Sequence, residues 1–274
     1  MNKQITFASL GDLCIDDYQK YGRIFPGGTA FNTAVHASKT GAQVSVFSVI
    51  GTDKFAQTFQ NAFKLYDIDS SQVQIVDGQT SSIKISIDNK GQPTYSDWEL
   101  GVLKNHVLTP IQKAKLKEYD IAKMAFFKPL RTFFNEFSQL NLPLTLKVAD
   151  FAGSSIYSSS TLIIERYIKN FDIVIKSLNF NDFYFFSFLQ ELSIKNEGKI
   201  VLILLGEKGS IAFLDGKQYQ QPSIKAIVKD ANGAGDAYIA CFLDSYLRKK
   251  NIAEAMFRGA KAATEKISKI GTIV

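Results

Sequence analysis

The chain has 274 residues, 46% hydrophobic and 21% charged, the balance of a globular protein and not of a disordered or fibrous one. Its formal net charge of +6 comes from dispersed lysines and not from one block, which argues against a nucleic-acid partner. Two cysteines and two histidines supply neither a disulfide framework nor a zinc cluster, and no apolar run reaches the roughly 18 residues of a membrane span.

Residues 4–10 alternate toward a first strand that ends at Gly11-Asp12. That strand begins too soon for a signal peptide, so a cytoplasmic protein is expected. Asp12, Asp16 and Asp17 then fall in a short loop or strand. Gly27 and Gly28 open a helix with Phe31, Ala34 and Val35 on its apolar face, and Gly41 ends it. Val44–Ile50 is a β-branched strand, and Gly51-Thr52-Asp53 caps a helix carrying Phe55, Phe59, Phe63 and Tyr66 on one face. Val73–Val76, Ile83–Ile87 and Thr94–Trp98 are short strand-like runs with a turn at Asp88–Gly91. A hairpin set into an alternating chain predicts a small sheet that covers a site, with lid elements near 12–26 and 73–99.

From residue 100 onward, strands are expected at Ile121–Phe126, Leu144–Val148, Ile173–Ile175, Ile200–Leu205 and Ser210–Leu214. Helices are expected near 109–118, 130–140, 158–169, 181–196, 235–249 and 252–269. This alternation predicts a single α/β domain over residues 1–274, with a mostly parallel central sheet flanked by helices.

The chemistry gathers in four loops. Lys229-Asp230-Ala231-Asn232-Gly233-Ala234-Gly235-Asp236 runs small residues into a helix start, where unpaired N–H groups favour an anion. Asp236 beside such a turn has the character of a general base for phosphoryl transfer to a hydroxyl. Gly11-Asp12 with Asp16, and Gly27-Gly28 with Asn32, offer carboxylates and an amide to a polyhydroxylated ligand. Leu205-Gly206-Glu207-Lys208-Gly209 is a tight turn with glycine at both ends. Each alone reads equally as a cap or a turn.

Together, these residues resemble the PfkB (ribokinase-like) carbohydrate kinase family. Gly27-Gly28-Thr29-Ala30-Phe31-Asn32 is similar to its first signature, and Asp230-Ala231-Asn232-Gly233-Ala234-Gly235-Asp236 to its second. Gly51-Thr52-Asp53 and Leu205–Gly209 match two of its turns, in family order. The resemblance implies a ribokinase-like three-layer sandwich with a β-sheet lid. It also implies ATP and Mg²⁺, with Asp236 as base and Gly233, Ala234 and Gly235 as an anion hole. Asp12, Asp16, Gly27, Gly28 and Asn32 would hold the sugar. Gly206, Gly209, Asn232, Gly235 and Ala263 would line the ATP site.

Within the family, Gly11-Asp12-x-Cys14-x-Asp16-x-Tyr18 and Asp97-Trp98-Glu99-Leu100-Gly101-Val102 resemble bacterial fructosamine and fructoselysine kinases. Trp98 would then sit at the lid's edge near the substrate, with Asp97 or Glu99 pairing with its amine. Two departures stand out. Ala231 replaces the family's Thr, and the Asn-x-x-Glu tied to Mg²⁺ survives only as Asn179-Phe180-Asn181-Asp182, so a weaker metal dependence through water is expected. A homodimer through the open lid edges is expected too, with no nucleic-acid or membrane partner. Kinases of the same fold for a nucleoside or another sugar, or a non-catalytic sensor on this scaffold, are the alternatives.

Overall fold

Thr6-Phe7-Ala8-Ser9-Leu10 forms β1 (Thr6–Leu10), whose last four residues are fully buried in the middle of the main sheet. The computed structural model describes residues 4–153, 160–178 and 182–271. The main sheet has ten strands. In spatial order they are β14 (Lys217–Gln221), β13 (Ser210–Leu214), β12 (Ile200–Leu204), β11 (Ile173–Ser177), β10 (Leu146–Asp150), β9 (Ile121–Ala125), β1, β4 (Gln43–Ile50) and β5 (Ile68–Asp69), with β6 (Val73–Ile75) also paired to β4. All pairs are parallel except β12–β13 and β13–β14. Parallel strands buried on both faces read as unbroken apolar runs, as Ile200-Val201-Leu202-Ile203-Leu204 does.

Helices cover both faces, giving three layers. α1 (Thr29–Ser38), α2 (Lys54–Leu65), α7 (Ala234–Lys249) and α8 (Ile252–Ile267) pack Phe31, Phe59, Phe63, Phe242 and Met256 into one core. α3 (Pro110–Lys115), α4 (Arg131–Gln139), α5 (Thr161–Tyr167) and α6 (Phe183–Lys195) lie over the other, in which Phe126, Phe133, Phe134, Phe137, Phe151 and Phe171 cluster. Each such ring stabilises the fold by roughly 1.5–3 kcal/mol through burial, and this core absorbs much of the chain's phenylalanine. Among the described residues no helix is long and apolar enough to cross a membrane.

A second sheet has the order β3 (Arg23–Gly27), β2 (Cys14–Tyr18), β7 (Ser81–Ile87) and β8 (Pro93–Glu99). Tyr18, Ile85 and Ile87 give it a small core of its own. Its far edge is fastened to the body, where Trp98 packs with Val49, Leu103, Leu130 and Phe127.

Three expectations need correction. Val73–Ile75, expected with the lid, pairs in parallel with Ser48–Ile50 at the edge of the main sheet, so the lid sheet draws on 14–27 and 81–99. The strand expected at Leu144–Val148 starts two residues later, at Leu146: Leu144 follows a proline, is 89% exposed and pairs with nothing in the ladder. β5 and β14 were not foreseen. One is two residues long and the other, Lys-Gln-Tyr-Gln-Gln, carries an edge strand's polar sequence.

Candidate active site

In an open α/β sheet the loops at the carboxyl ends of the strands form the ligand crevice. Here the end of β1 supplies Asp12, and the start of α1 supplies Asn32 and Thr33. The start of α7 supplies Asp236, and the lid hangs over all of them. Gly233 takes φ +78°, a left-handed turn that glycine adopts without a Cβ clash, and α7 begins at the next residue. Ala234 N donates back to Ala231 O at 3.2 Å, whereas the first-turn N–H groups of Gly235 and Asp236 stand where a helix provides no internal acceptors.

Asp236 is buried. Thr33 Oγ1 donates to its Oδ1 at 3.0 Å, and Asn32 Nδ2 donates to its Oδ2 at 3.3 Å. The ammonium of Lys123, on β9, stands 3.5 Å from Oδ1 and 3.5 Å from Asp150 Oδ2. Burial pushes the Asp236 carboxyl up to about 6, with Lys123 pulling it down and Asp150 pushing it up. At neutral pH a carboxyl there is mostly ionised yet basic enough to take a proton, the match a general base requires. Asn32 Oδ1, fully enclosed beside it, has no hydrogen-bond partner among the described residues.

The glycine pair before α1 is dictated by close approach. A Cβ on Gly27 would sit 2.3 Å from the Asp16 carboxyl carbon, and one on Gly28 would sit 2.4 Å from the Asp12 carbonyl oxygen. Asp12 anchors the helix start, accepting from Thr29 N at 3.1 Å and from Thr29 Oγ1 at 2.7 Å. Asp16, on β2, is buried. That burial, and next the charge of Asp12, drive its carboxyl well above the usual carboxylate range, against the Asn232 amide that donates to it at 3.2 Å.

The segment before the helix is tied to the lid. Tyr18 OH donates to Asp230 Oδ2 at 2.8 Å, Tyr95 OH donates to Asn232 Oδ1 at 2.9 Å, and Ala231 N donates to Gly91 O at 2.8 Å. Asp230 also accepts from Gly271 N, and Lys266 Nζ donates to its main-chain oxygen at 2.8 Å. Asn232, expected on the ATP side, therefore turns its side chain the other way, to Asp16 and Tyr18. An amide among carboxylates and phenols finds both its donors and its acceptor used there, which an open phosphate site does not offer.

The other expected residues are more dispersed. Gly206 has φ +56° with open space around it, whereas a Cβ on Gly209 would strike Gln221 O at 2.1 Å, so packing against the end of β14 already requires that glycine. Leu205 N donates to Gly209 O at 2.8 Å and closes the turn. Ala263 is half-buried on α8, in the same core region as Ile224. Trp98 donates to Ser81 Oγ at 2.9 Å and meets Phe127 edge-on, which places it in the lid's attachment to the body, behind Ser81 and Cys14. Asp97 is occupied by Lys84 at 2.9 Å. Asp182 caps α6, its Oδ1 accepting from Phe185 N at 3.2 Å, and Asn179 lies outside the described residues.

Lys123, Thr33, Tyr18, Tyr95 and Lys266 join the site without having been expected. One signal was available. Lys123 interrupts the apolar strand Ile-Ala-Lys-Met-Ala, and a lysine in a buried strand requires an acceptor or counter-charge nearby.

The model of the pfkB family carbohydrate kinase matches residues 12–173 and 186–274. Fructoselysine 6-kinase of Shigella flexneri is 27% identical over 263 residues, covering 96% of this chain and 97% of that protein. Fructosamine kinase FrlD of Bacillus subtilis is 24% identical over 267 residues, covering 94% of this chain and 89% of that protein. Among solved structures, the nucleoside kinase of Methanocaldococcus jannaschii, an archaeal member of the ribokinase family, superposes with a TM-score of 0.78 at 20% identity, covering 100% of this chain and 95% of that one. The fold is therefore ribokinase-like.

Proposed function

The chain belongs to the pfkB family of carbohydrate kinases and is an ATP-dependent phosphotransferase, and we propose that its acceptor is a fructosamine, phosphorylated on a primary hydroxyl. Asp236 Oδ2 takes the hydroxyl proton as the new O–P bond forms and the bond from the γ-phosphorus to the bridging oxygen of ATP breaks, releasing ADP. Gly233, Ala234 and Gly235 present the backbone that stabilises charge on the transferred group. Gly206 and Ala263 stand on the nucleotide side in this reading. Asp12, Asp16 and Asn32 hold the sugar, and Gly27 and Gly28 let its walls close in.

The observation that carries the proposal is the pairing of a basic, buried carboxylate with an unsatisfied acceptor. Asn32 Oδ1 has no partner among the described residues, and it lies on the residue whose amide already orients Asp236 Oδ2. A substrate with neighbouring hydroxyls gives one proton to Asp236 and one hydrogen bond to Asn32. Relatives named fructoselysine 6-kinase and fructosamine kinase favour the sugar-amine class. Asp97 is taken by Lys84, so we assign the substrate's ammonium to Glu99 at the exposed lid edge.

Among the described residues no cluster of three His, Cys, Asp or Glu is arranged to hold a metal. An Mg²⁺ ion keeps several waters of its own, and Asp182 and Asn179 would hold it through water; bound, it would neutralise phosphate charge. We place the enzyme in the cytoplasm with its ATP. The lid sheet's outer strands β3 and β8 are the edges offered to a second copy, and no nucleic-acid or membrane partner is assigned.

The test is Asp236→Asn assayed by ADP release with fructoselysine, hexoses and nucleosides. Losing the base should cost on the order of 10²–10⁴-fold in turnover. Turnover within a few-fold of the native enzyme sinks the base assignment, and a nucleoside used more efficiently than fructoselysine sinks the acceptor class.

A further inference from the structure

Four lysines are buried among the described residues: Lys123, Lys147, Lys176 and Lys266. Two of them resolve their charge on main-chain oxygens: Lys147 donates to Ser138 O and Leu140 O at the end of α4, and Lys176 donates to Phe151 O and Gly153 O. Lys266 donates to Asp230 O and also stands 3.7 Å from that residue's Oδ2. Lys123 is the one of the four that stands between two carboxylates. Its side chain is 0% exposed, its neighbours are the carboxylates of Asp236 and Asp150, each 3.5 Å away, and it donates to Thr33 Oγ1 at 3.0 Å.

We propose that Lys123 is a positioning residue for the catalytic carboxylate: its ammonium, shared with Asp150 and relayed through Thr33, holds Asp236 charged with Oδ1 turned inward and Oδ2 left to Asn32 and the acceptor. This rests on the reading of Asp236 as the base. Among the described residues, Oδ1 receives both Thr33 and Lys123, whereas Oδ2 receives the Asn32 amide alone. The two oxygens of one carboxylate are thereby made unequal before any substrate arrives.

Charge bookkeeping favours the arrangement. Two carboxylates and one ammonium carry a net −1 before transfer. When Asp236 takes the hydroxyl proton the trio becomes neutral, and Lys123 still faces Asp150. The ammonium is never left buried and unpaired, the arrangement that desolvation penalises most. The opposing field is real: Asp150 and Asp12 push the Asp236 carboxyl up, and Asp16, held well above the usual carboxylate range by burial, and Tyr95 face it from the lid. Without Lys123, the carboxylates nearest Asp236 would resist its ionisation.

The test needs no knowledge of the acceptor. Carboxyl ¹³C NMR titration of the intact protein, with the Asp236 signal assigned by its loss in Asp236→Asn, is compared for native, Lys123→Met, Lys123→Arg and Asp150→Asn proteins. Lys123→Met should raise the Asp236 midpoint by about one unit or more, and Lys123→Arg should restore most of it. Asp150→Asn removes a like charge from Asp236 and frees the ammonium for it alone, so it should lower the midpoint. A lysine that merely fills space would leave the midpoint unmoved in Lys123→Met, and that overturns the proposal. Should Lys123→Met not fold, Lys123→Gln, uncharged and still polar, decides in its place. If Asp236→Asn keeps its kinase activity while these shifts appear, the base assignment is what fails and the positioning of the carboxylate stands.

Discussion

Gly27→Ala is the sharpest probe of the acceptor wall. Gly27 ends β3 without positive φ, so alanine meets no left-handed strain there. What it meets is Asp16: the new Cβ would lie 2.3 Å from Cγ and 2.4 and 2.5 Å from the two oxygens. Ordinary contact needs roughly an ångström more, so the carboxyl must swing away and give up the 3.2 Å bond from Asn232 Nδ2. Overpacking of this kind costs about 1–3 kcal/mol, which in a chain of this size lowers Tm by roughly 2–4 °C per kcal/mol. Function should suffer more. An ångström of misplacement in a positioning group costs on the order of 10²-fold, and it should fall on KM for fructoselysine while KM for ATP stays within about two-fold, because Asp16 belongs to the lid. Steady-state kinetics varying each substrate in turn, with calorimetry for Tm, measure both effects. A Gly27→Ala enzyme with unchanged acceptor KM would refute the placement of Asp16 against the sugar.

Two further outcomes follow from the same geometry. At Gly235 a Cβ would touch only Leu204 Cδ1, at 3.9 Å, so Gly235→Ala should stabilise α7 by about 0.5–1 kcal/mol; slower turnover in that stabler protein would assign the space above Gly235 to the phosphates, and unchanged turnover would remove Gly235 from the anion hole. Burial holds His106 down at about 4, from 6.5, and its Nε2 has no hydrogen-bond partner among the described residues. The unfolded chain therefore takes up a proton near 6.5 that the native protein refuses until about 4, and stability drains across that window, by on the order of 3 kcal/mol at its foot. Thermal melts from pH 7 to pH 4 should show this loss in the native protein and a smaller one in His106→Leu; parallel curves would exclude His106 as the cause.

The layers and most strand positions were legible because they rest on local periodicity. β-Branched and apolar runs mark buried parallel strands, and the turns of α1 and α7 need glycine for reasons internal to the backbone, as at Gly28 (φ +89°) and Gly233 (φ +78°). The failures are of another kind. Val73–Ile75 looks like a third lid strand because a three-residue Val-Gln-Ile run says nothing about its partner, and only the main sheet's open edge decides. Lys123 meets Asp236 across 113 residues of sequence, and Asn232 meets Asp16 across 216. No spacing rule reaches those pairs. What the strand did show was a lysine where every neighbour is apolar, a local contradiction that only a distant charge could resolve.

At Ala231 side chain and backbone again play separate parts. The residue offers no hydroxyl, yet it holds the lid through Ala231 N, 2.8 Å from Gly91 O in the hairpin turn. A backbone donor is present whatever the side chain, so this contact does not depend on a hydroxyl. Tyr18 and Tyr95 grip the residues on either side, Asp230 and Asn232, and Lys266 holds Asp230 from beneath. Three consecutive residues therefore connect the acceptor's cover to the helix start that carries Asp236. The sequence motif marks the helix start; its first three residues, Asp230 to Asn232, serve the lid.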